Sequence, residues 1–316
     1  MSINTDSEPV IRAENLTKGY GSFLALRGID LEVRRGEVFG FLGPNGAGKT
    51  TAIRCMLDLI RPGGGLLRVL GRDPQLEPVA VRERCGYLPG ELRLDENAPV
   101  NLVLSFFQQH RGGSARCRKR ANELSERLEL KLDSKIKNLS KGNKQKVGIV
   151  AAFMHTPELL LLDEPTSGLD PLVQQTVLNL VSEARRGGAT VFFSSHVLAE
   201  VQSIAERVAI IRNGKIVEVG TTSELSAKGM VRVRVVLADM AEVTAGEFDA
   251  LPGVSLTKSE KRGHVFELEV EGGMDALVKM LAKYPVESLE TRRPGLEELF
   301  HSHYAKREEK GNRGDA

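Results

Sequence analysis

Hydrophobic and polar positions alternate in the early part of the chain and then give way to short, wholly apolar runs. Ile29, Leu31 and Val33 are separated by charged residues, which predicts a strand of an antiparallel sheet with one face exposed. Two later runs, 38–42 and 159–162, contain no polar side chain. Runs of this length are typical of strands that are buried on both faces, as in a parallel sheet. Both kinds of sheet are therefore expected.

Other segments carry apolar residues at helical spacing. Ile53, Met56, Leu57 and Ile60 recur at i, i+3, i+4 and i+7, which is one face of a helix directly after the first apolar run. The same reasoning predicts helices over about 97–130, 144–154 and 172–186, a buried strand over 190–193, and a hairpin over 208–219 with a type I′ turn at Asn213–Gly214. Because apolar strands alternate with helices, these elements predict an α/β fold whose parallel core sheet is covered on both faces.

The pattern of hydrophobic and polar residues changes near residues 221–229. This stretch consists mainly of small and polar residues and is predicted to be a linker. Beyond it, valines alternate with arginines over 231–235, and apolar residues at helical spacing follow within 277–284 and 296–300. This combination predicts a small α+β domain over 230–305, in which no catalytic cluster is recognisable.

Composition and charge exclude several classes of protein. The 316-residue chain has a formal net charge of +2, so its charge does not require a nucleic-acid partner. The densest basic run, 116–120, suits lipid headgroups or RNA, but is predicted to be the solvated face of a surface helix. Cys55, Cys85 and Cys117 are odd in number and widely separated. They indicate neither a zinc site nor a disulfide framework, and reduced cytosolic thiols are expected.

The N-terminal residues are not predicted to be a signal peptide, and no segment is predicted to span a membrane. Residues 1–9 are polar, are predicted to be disordered, and lack the apolar region of a signal peptide. Residues 306–316 are predicted to form a disordered tail. His301 and His303 do not share a helix face, so they are predicted to be surface residues rather than metal ligands. No run approaches the ~18 apolar residues of a membrane span, so any membrane role is expected to act through a partner.

The strongest chemical signal is a glycine-rich loop between the first apolar run and the helix that follows it. It matches the phosphate-binding pattern G-x-x-x-x-G-K-[ST], with these residues: Gly43, Pro44, Asn45, Gly46, Ala47, Gly48, Lys49 and Thr50. Glycines let consecutive backbone N–H groups surround phosphate oxygens, and the helix N-terminus adds partial positive charge. Lys49 is predicted to reach the β- and γ-phosphates, Thr50 to ligate Mg²⁺, and Thr51 to lie beside the nucleotide. This chain is predicted to bind a nucleoside triphosphate.

Two acids follow the second apolar run. Asp163 and Glu164 are expected at the carboxyl edge of the parallel sheet, beside the phosphate loop. Asp163 is predicted to join the Mg²⁺ shell, directly or through water, and Glu164 to act as the general base on the attacking water. The alternative is that either acid only caps the end of a strand.

A third motif lies between these two. Leu139–Asn143 reads as a helix N-terminus with Ser140 as its cap. It resembles the Leu-Ser-Gly-Gly-Gln signature of ATP-binding-cassette (ABC) proteins, with Lys141 in place of a glycine and Asn143 in place of the glutamine. The resemblance implies that Ser140, Gly142 and the helix dipole contact the γ-phosphate of an ATP held by the opposite subunit. It therefore implies a dimer that sandwiches two ATP molecules, either a homodimer or a pair with a related cassette.

Further elements of the ABC family occur in order from about Val10 to Gly220. Tyr20 is similar to the aromatic residue that stacks on adenine, with core packing as the alternative. The loop ending at Asp170 resembles the one that lines the dimer interface, and His196 resembles the histidine that touches the γ-phosphate and steadies Glu164. The resemblance implies a P-loop NTPase cassette over 10–225. That cassette has a parallel core sheet, an antiparallel β subdomain and a helical subdomain at about 92–155.

One position departs from the family pattern. After Gly86–Pro89 the family has a glutamine that touches Mg²⁺ and the water, on a loop that meets the membrane subunit. Here that position is Gly90, which has no side chain to offer, and Glu91 follows. Either Glu91 substitutes as the ligand or the ligand is missing, and the substitution is the favoured prediction.

The chain ends with an accessory domain and the segment Arg293–Phe300, similar to those of bacterial ABC ATPases paired with drug or lipid exporters. The resemblance therefore implies an ATP-hydrolysing exporter subunit that uses ATP and Mg²⁺ and is held by a separate permease at the cytoplasmic face of the membrane. A soluble ABC-type ATPase acting on ribosomes or nucleic acid is the alternative. It is disfavoured because the chain has one phosphate loop, no coiled-coil heptads and no paired cysteines. The sequence also lacks the guanine-reading Asn-Lys-x-Asp motif that a switch-type GTPase would need, which argues against that class of protein.

Overall fold

The computed structural model describes residues 8–227, 231–238, 243, 245–260, 264–271 and 273–292. The chain forms two compact units, Met1–Thr221 and Thr222–Ala316. The limits of the predicted domains 10–225 and 230–305 stay predictions, and both predicted disordered ends fall wholly or mostly outside the described residues.

A six-stranded sheet forms the core of the first unit. In spatial order its strands are β5 (Cys85–Leu88), β6 (Leu159–Asp163), β7 (Thr190–Ser195), β3 (Val38–Leu42), β8 (Arg207–Arg212) and β9 (Lys215–Thr221). The first five are parallel, and β9 returns antiparallel to β8. Asn213 and Gly214 join β8 to β9 with φ values of 47° and 75°, as the predicted type I′ turn requires. Every residue of β3 and β6 is buried, which confirms the interpretation of the two apolar runs.

A smaller antiparallel sheet is built from the two strands before β3 and the strand after the first helix. Its order is β2 (Phe23–Val33), β1 (Ile11–Tyr20) and β4 (Gly64–Val69). Ile29, Leu31 and Val33 are buried while the intervening acids are exposed, which confirms the predicted alternation. These buried side chains join Phe39 and Phe41 of the core sheet in one hydrophobic cluster.

Helices surround the core sheet: α1 (Lys49–Met56), α2 (Pro78–Glu83), α3 (Val100–His110), α4 (Ala115–Arg127), α5 (Lys141–Phe153), α6 (Pro171–Arg186) and α7 (Leu198–Ile204). The single helical region predicted over 97–130 is therefore wrong in detail, because Gly112 and Gly113 adopt φ values of 83° and 59° that no helix continues through. Helix α1 also ends earlier than its apolar face suggested, since Asp58 has a φ of 49°.

Two sets of polar contacts attach α3 and α4 to the rest of the first unit. Arg127 of α4 donates to both carboxylate oxygens of Glu183 in α6, at 2.7 and 2.8 Å. Arg111, which follows α3, donates from Nη1 to the carbonyl oxygen of Arg82 at 2.7 Å. The bidentate, charge-assisted contact of Arg127 with Glu183 fixes orientation as well as distance.

The second unit contains a four-stranded antiparallel sheet. Its order is β11 (Val254–Glu260), β12 (Val265–Val270), β10 (Val231–Leu237) and β13 (Val286–Arg292), and its helices are α8 (Thr222–Ala227), α9 (Ala245–Asp249) and α10 (Asp275–Leu281). Val233, Val235, Phe266 and Leu268 form its core together with apolar residues of α9 and α10. The linker predicted over 221–229 contains α8, which propensity alone did not reveal because the helix is short and begins with Thr222 and Ser223, two residues of low helix propensity.

Parts of the predicted second domain fall outside the described residues. These are the helix over 296–300, the histidines at 301 and 303, and the segment 293–300. Within the described ranges, no helix combines the length and the apolar character needed to cross a bilayer.

All three cysteines are buried and free. Burial raises the pKa of Cys55 to about 11 and the pKa of Cys85 to about 12. Because the thiolate is the reactive form, these two thiols are chemically quiet at neutral pH.

Candidate active site

Three strand ends form the candidate site. Strands β6, β7 and β3 are neighbours in the parallel sheet, so their carboxyl ends meet at one edge. The phosphate loop follows β3, Asp163 and Glu164 stand at the end of β6, and His196 follows β7. Parallel sheets bind ligands at this edge, and here the fold brings together groups that are far apart in sequence.

The geometry of the loop requires its glycines. Gly46 and Gly48 have φ values of 78° and 113°, in the region that favours glycine. A Cβ at Gly43 would lie 2.4 Å from the carbonyl oxygen of Ile211, and one at Gly48 would lie 2.6 Å from that of Ala25. The loop is therefore pressed against neighbouring backbone, and α1 begins directly after it.

Lys49 is the buried cation of the site, with 5% of its surface exposed. Its Nζ donates to the carbonyl oxygens of Gly43 and Pro44, at 2.6 and 3.2 Å. The same atom lies 3.0 Å from Oε1 of Glu164. Two carbonyl oxygens thus accept hydrogen bonds from the ammonium, and Glu164 is its ion-pair partner, while Oε1 of Glu164 has no hydrogen-bond partner among the described residues.

Asp163 is fully buried, and both of its carboxylate oxygens accept hydrogen bonds. Thr50 Oγ1 donates to Oδ2 at 2.7 Å, and Ser194 Oγ donates to Oδ1 at 2.7 Å. A hydroxyl oxygen beside a carboxylate oxygen is a pair of ligands that suits Mg²⁺. The described residues contain no cluster of three or more His, Cys, Asp or Glu side chains for a metal, so phosphate or water oxygens would complete such a shell.

Glu164 is held in a specific orientation by several neighbours. Its φ is 51°, an uncommon value for a residue with a side chain. Its N–H points at the carbonyl and hydroxyl oxygens of Ser194, at 3.1 and 3.2 Å. Gln145 Nε2 donates to its carbonyl oxygen at 3.3 Å. His196 Nδ1 lies 2.6 Å from Oε2, so the predicted pair of Glu164 and His196 is in direct contact.

An open cleft of about 260 Å³ lies over these groups, lined by Tyr20, Phe23, Ala25, Pro44, Asn45, Gly46, Gly48, Lys49, Thr50, Thr51 and Glu164. Tyr20 is 48% exposed, so core packing does not account for it. Sequence reasoning missed Phe23, which pairs with Tyr20 across β1 and β2 and is also exposed. It also missed Ser194 and Gln145. The only sequence signal for Ser194 was its position at the end of the strand before His196. No signal in the sequence existed for Gln145.

The departure from the family pattern lies next to Asp163. A Cβ at Gly90 would lie 3.1 Å from Oδ2 of Asp163, so this position faces the site as expected. Glu91 is exposed and does not line the cleft. Burial and the Asp163 carboxylate raise the pKa of nearby Tyr87, because both disfavour a phenolate there.

The signature-like segment does not line this cleft. Ser140 caps α5 by accepting from the N–H of Asn143 at 3.2 Å, and Asp170 caps α6 by accepting from the N–H of Val173 at 3.0 Å. A Cβ at Gly142 would lie 2.7 Å from the carbonyl oxygen of Gly168, so the start of α5 packs against the 167–170 loop. Ser140, Gly142, Asn143 and Asp170 are thus close to one another and apart from the Lys49 cleft.

Comparisons with known proteins agree with this architecture. A family model described as ABC transporter matches residues 26–167. The chain is 36% identical over 303 residues to the daunorubicin resistance ATP-binding protein DrrA3 of Streptomyces coeruleorubidus, covering 93% of this chain and 95% of that protein.

Two solved structures are similar to about two thirds of the chain. One is the ATP-binding subunit of an ABC transporter, 32% identical, with a TM-score of 0.65 and coverage of 68% of this chain and 91% of that chain. The other is a dimeric bacterial ABC transporter cassette, 25% identical, with a TM-score of 0.58 and coverage of 67% and 98%.

The predicted fold class, a P-loop cassette with parallel and antiparallel sheets and helices, is thereby confirmed. The match to DrrA3 extends over nearly the whole of both chains and therefore is not limited to the common phosphate loop. The chain belongs to the family of ABC transporter ATP-binding proteins.

Proposed function

We propose that this chain is the subunit that binds and hydrolyses ATP to power an ABC exporter. The observation that carries the proposal is the meeting of Lys49, Asp163, Glu164 and His196 at one sheet edge, beside a cleft that Lys49 and Glu164 line. A purely structural role would not require an ammonium, two carboxylates and a histidine to converge next to an open cleft.

Nucleotide binding follows from the phosphate loop. Phosphate oxygens would replace the Glu164 carboxylate as a partner of Lys49, because a triphosphate carries more negative charge than one carboxylate. Backbone N–H groups of the loop and the start of α1 would hold the remaining oxygens. Tyr20 and Phe23, both exposed beside the cleft, would stack on adenine.

The metal would be held by Thr50 and Asp163, whose oxygens already lie 2.7 Å apart. Bound Mg²⁺ supplies charge neutralisation for the phosphate groups. Ser194 keeps the Asp163 carboxylate in place by donating to its other oxygen. An orienting contact of this kind supports the side chain that would hold the metal.

Hydrolysis would use Glu164 as the general base. A water oxygen forms the new bond to the γ-phosphorus while the bond to the bridging oxygen of ADP breaks, and Glu164 accepts the proton of that water. His196 holds Oε2 of the carboxylate, and its half-exposed ring would also contact the γ-phosphate. Release of Lys49 to the phosphates would free Oε1 for the water.

A second copy, or a related cassette, would complete the site. Ser140, Gly142, Asn143 and Asp170 lie outside the Lys49 cleft of their own chain, so we assign them to the nucleotide that the other subunit holds. The similarity to a dimeric cassette supports this assignment. Two ATP molecules would then lie between two chains.

A separate permease would supply the membrane pathway. Leu102 and Phe106 are more than half exposed and lie one turn apart on α3, which forms an apolar patch that suits a protein partner. Drug resistance is the stated role of DrrA3. We therefore place this chain at the cytoplasmic face of the membrane, with no nucleic-acid partner. The comparisons lend no support to the alternative of a ribosome-acting ATPase.

Affinity capture from detergent-solubilised membranes tests the partner. The tagged full-length chain is expected to retain an integral membrane protein with several predicted spans, identified by mass spectrometry. Phe106→Glu is expected to lose it, because a charge in an apolar interface is costly. Val217→Glu, at an exposed valine on β9, is the matched control. Recovery of ribosomal proteins, or of no membrane protein by any variant, would contradict the exporter proposal.

A second prediction concerns Glu91. If its carboxylate substitutes for the missing glutamine, it adds negative charge near Glu164 and the triphosphate, which disfavours ATP unless Mg²⁺ is bound. ATP affinity is then expected to depend more steeply on Mg²⁺ concentration in the natural chain than in Glu91→Gln. Equilibrium titrations of both proteins over a range of Mg²⁺ concentrations measure this. Superimposable curves would remove Glu91 from the site and leave its loop a mechanical role.

A further inference from the structure

Lys141 is the charged departure in the signature-like segment. It is the first residue of α5, directly after the cap Ser140, and it is exposed. The following glycine, Gly142, packs on the Gly168 carbonyl oxygen, where a side chain would clash. Position 141 therefore has room for a side chain, whereas position 142 does not. The side chain at position 141 is a cation.

The stem of Lys141 lies along the 167–170 loop. A Cβ built on Gly168 would lie 3.6 Å from Cδ of Lys141 and 3.8 Å from its Cγ and Cε, all of them ordinary contact distances. The methylene groups of Lys141 therefore run beside Gly168, while the residue as a whole is exposed. Packing of the stem reduces the conformational entropy that the side chain would lose on binding a ligand.

The Lys141 ammonium has no ion pair or hydrogen bond among the residues that the structure describes. The other lysines of α5 differ. Lys144 lies 3.3 Å from Oε1 of Glu96, and Lys146 is buried. The nearest acid along the packed loop, Asp170, has its Oδ1 engaged by the N–H of Val173. Lys141 is therefore the lysine of this helix that is available to an external anion.

We propose that Lys141 binds the triphosphate of the nucleotide held by the opposite subunit. This inference rests on the proposed sandwich dimer, in which the start of α5 faces that nucleotide. Lys141 would add a full positive charge to the partial charge of the helix N-terminus, where the family pattern has a glycine with none. ATP-driven dimerisation of this chain then depends on a cation in the signature segment and weakens with salt.

The test measures ATP-driven dimerisation of the full-length chain by analytical ultracentrifugation. Glu164→Gln is the parent, since it is expected to retain ATP without hydrolysing it. Lys141→Gln in this parent is expected to raise the dimer dissociation constant by about tenfold or more, from the loss of a charge-assisted contact. It should also reduce the steepness of the salt dependence, which a merely structural change would not do. Lys141→Arg is expected to keep the parent's behaviour.

Two controls make the result specific. Lys144→Gln, one turn along the same helix, is expected to dimerise like the parent. ADP affinity of the monomer is expected to be equal in all variants, because each chain's own cleft is unchanged. A dimerising parent whose Lys141→Gln form dimerises equally well overturns this inference alone. A parent that stays monomeric with MgATP overturns the sandwich dimer, and this inference with it.

Discussion

Replacing Glu164 with glutamine is expected to slow ATP hydrolysis by about 10²- to 10⁴-fold, the usual range for a lost general base. Glutamine keeps the shape of the side chain but cannot accept the proton of the attacking water. The contact of His196 with Oε2 can persist as a hydrogen bond to the amide, so the local geometry is expected to survive. The backbone contacts of Glu164 with Ser194 do not involve the side chain and are unchanged.

ATP binding is expected to persist in Glu164→Gln, because Lys49 and the loop are intact and the variant removes one negative charge from the cleft. Steady-state phosphate release and an equilibrium ATP titration measure the two properties separately. Glu206→Gln, at a surface ion pair with Arg185, is the matched control and should retain turnover. Near-normal hydrolysis by Glu164→Gln would assign the general base to another group.

Replacing Lys49 with alanine is expected to weaken ATP binding by about 10- to 100-fold or more, because contacts of an ammonium with phosphate are among the strongest hydrogen bonds. Lys49 is 5% exposed and its Nζ already lies within 3.2 Å of three oxygens. The ammonium is therefore fixed at the loop, and water would not compensate for its loss. Its loss also leaves the Glu164 carboxylate without its cation, which adds repulsion toward the triphosphate.

The Lys49→Ala result must be separated from unfolding, since a buried ion pair is broken. Thermal unfolding without nucleotide reports stability, and an isothermal titration with MgATP reports affinity. Lys144→Ala, which breaks the exposed pair with Glu96, is the control and should bind ATP normally. A dissociation constant for Lys49→Ala equal to that of the natural chain would remove Lys49 from the phosphate site.

Features of the fold that depend on local pattern could be predicted from the sequence. Strand β3, its glycine loop and the start of α1 follow from apolar content, glycine positions and helical spacing within one short stretch. Asp163 and Glu164 were predictable because a fully apolar strand ends at them. The hairpin at Asn213–Gly214 was predictable because both residues tolerate positive φ.

Features that depend on tertiary contact could not be predicted. The break between α3 and α4 at Gly112 and Gly113 is an exception, because it is a local feature that the apolar spacing within 100–107 outweighed in the prediction. Ser194 is defined by its contact with Asp163 from the neighbouring strand, a pairing that no sequence spacing specifies. Gln145 likewise belongs to the site only because, from α5, it donates to the carbonyl oxygens of Glu164 and Pro165.

The most direct test of a site shared between two chains is complementation between two inactive variants. Lys49→Ala removes the phosphate-loop cation, and Ser140→Arg blocks the signature segment. A dimer of either variant with itself has no intact site. A mixed dimer has one intact site, built from the Lys49 of one chain and the Ser140 of the other. ATPase activity is measured on each preparation and on an equimolar mixture. The account predicts that mixing restores activity, to about a quarter of the natural value if the subunits exchange freely. A mixture whose activity equals the mean of the two separate preparations would contradict it.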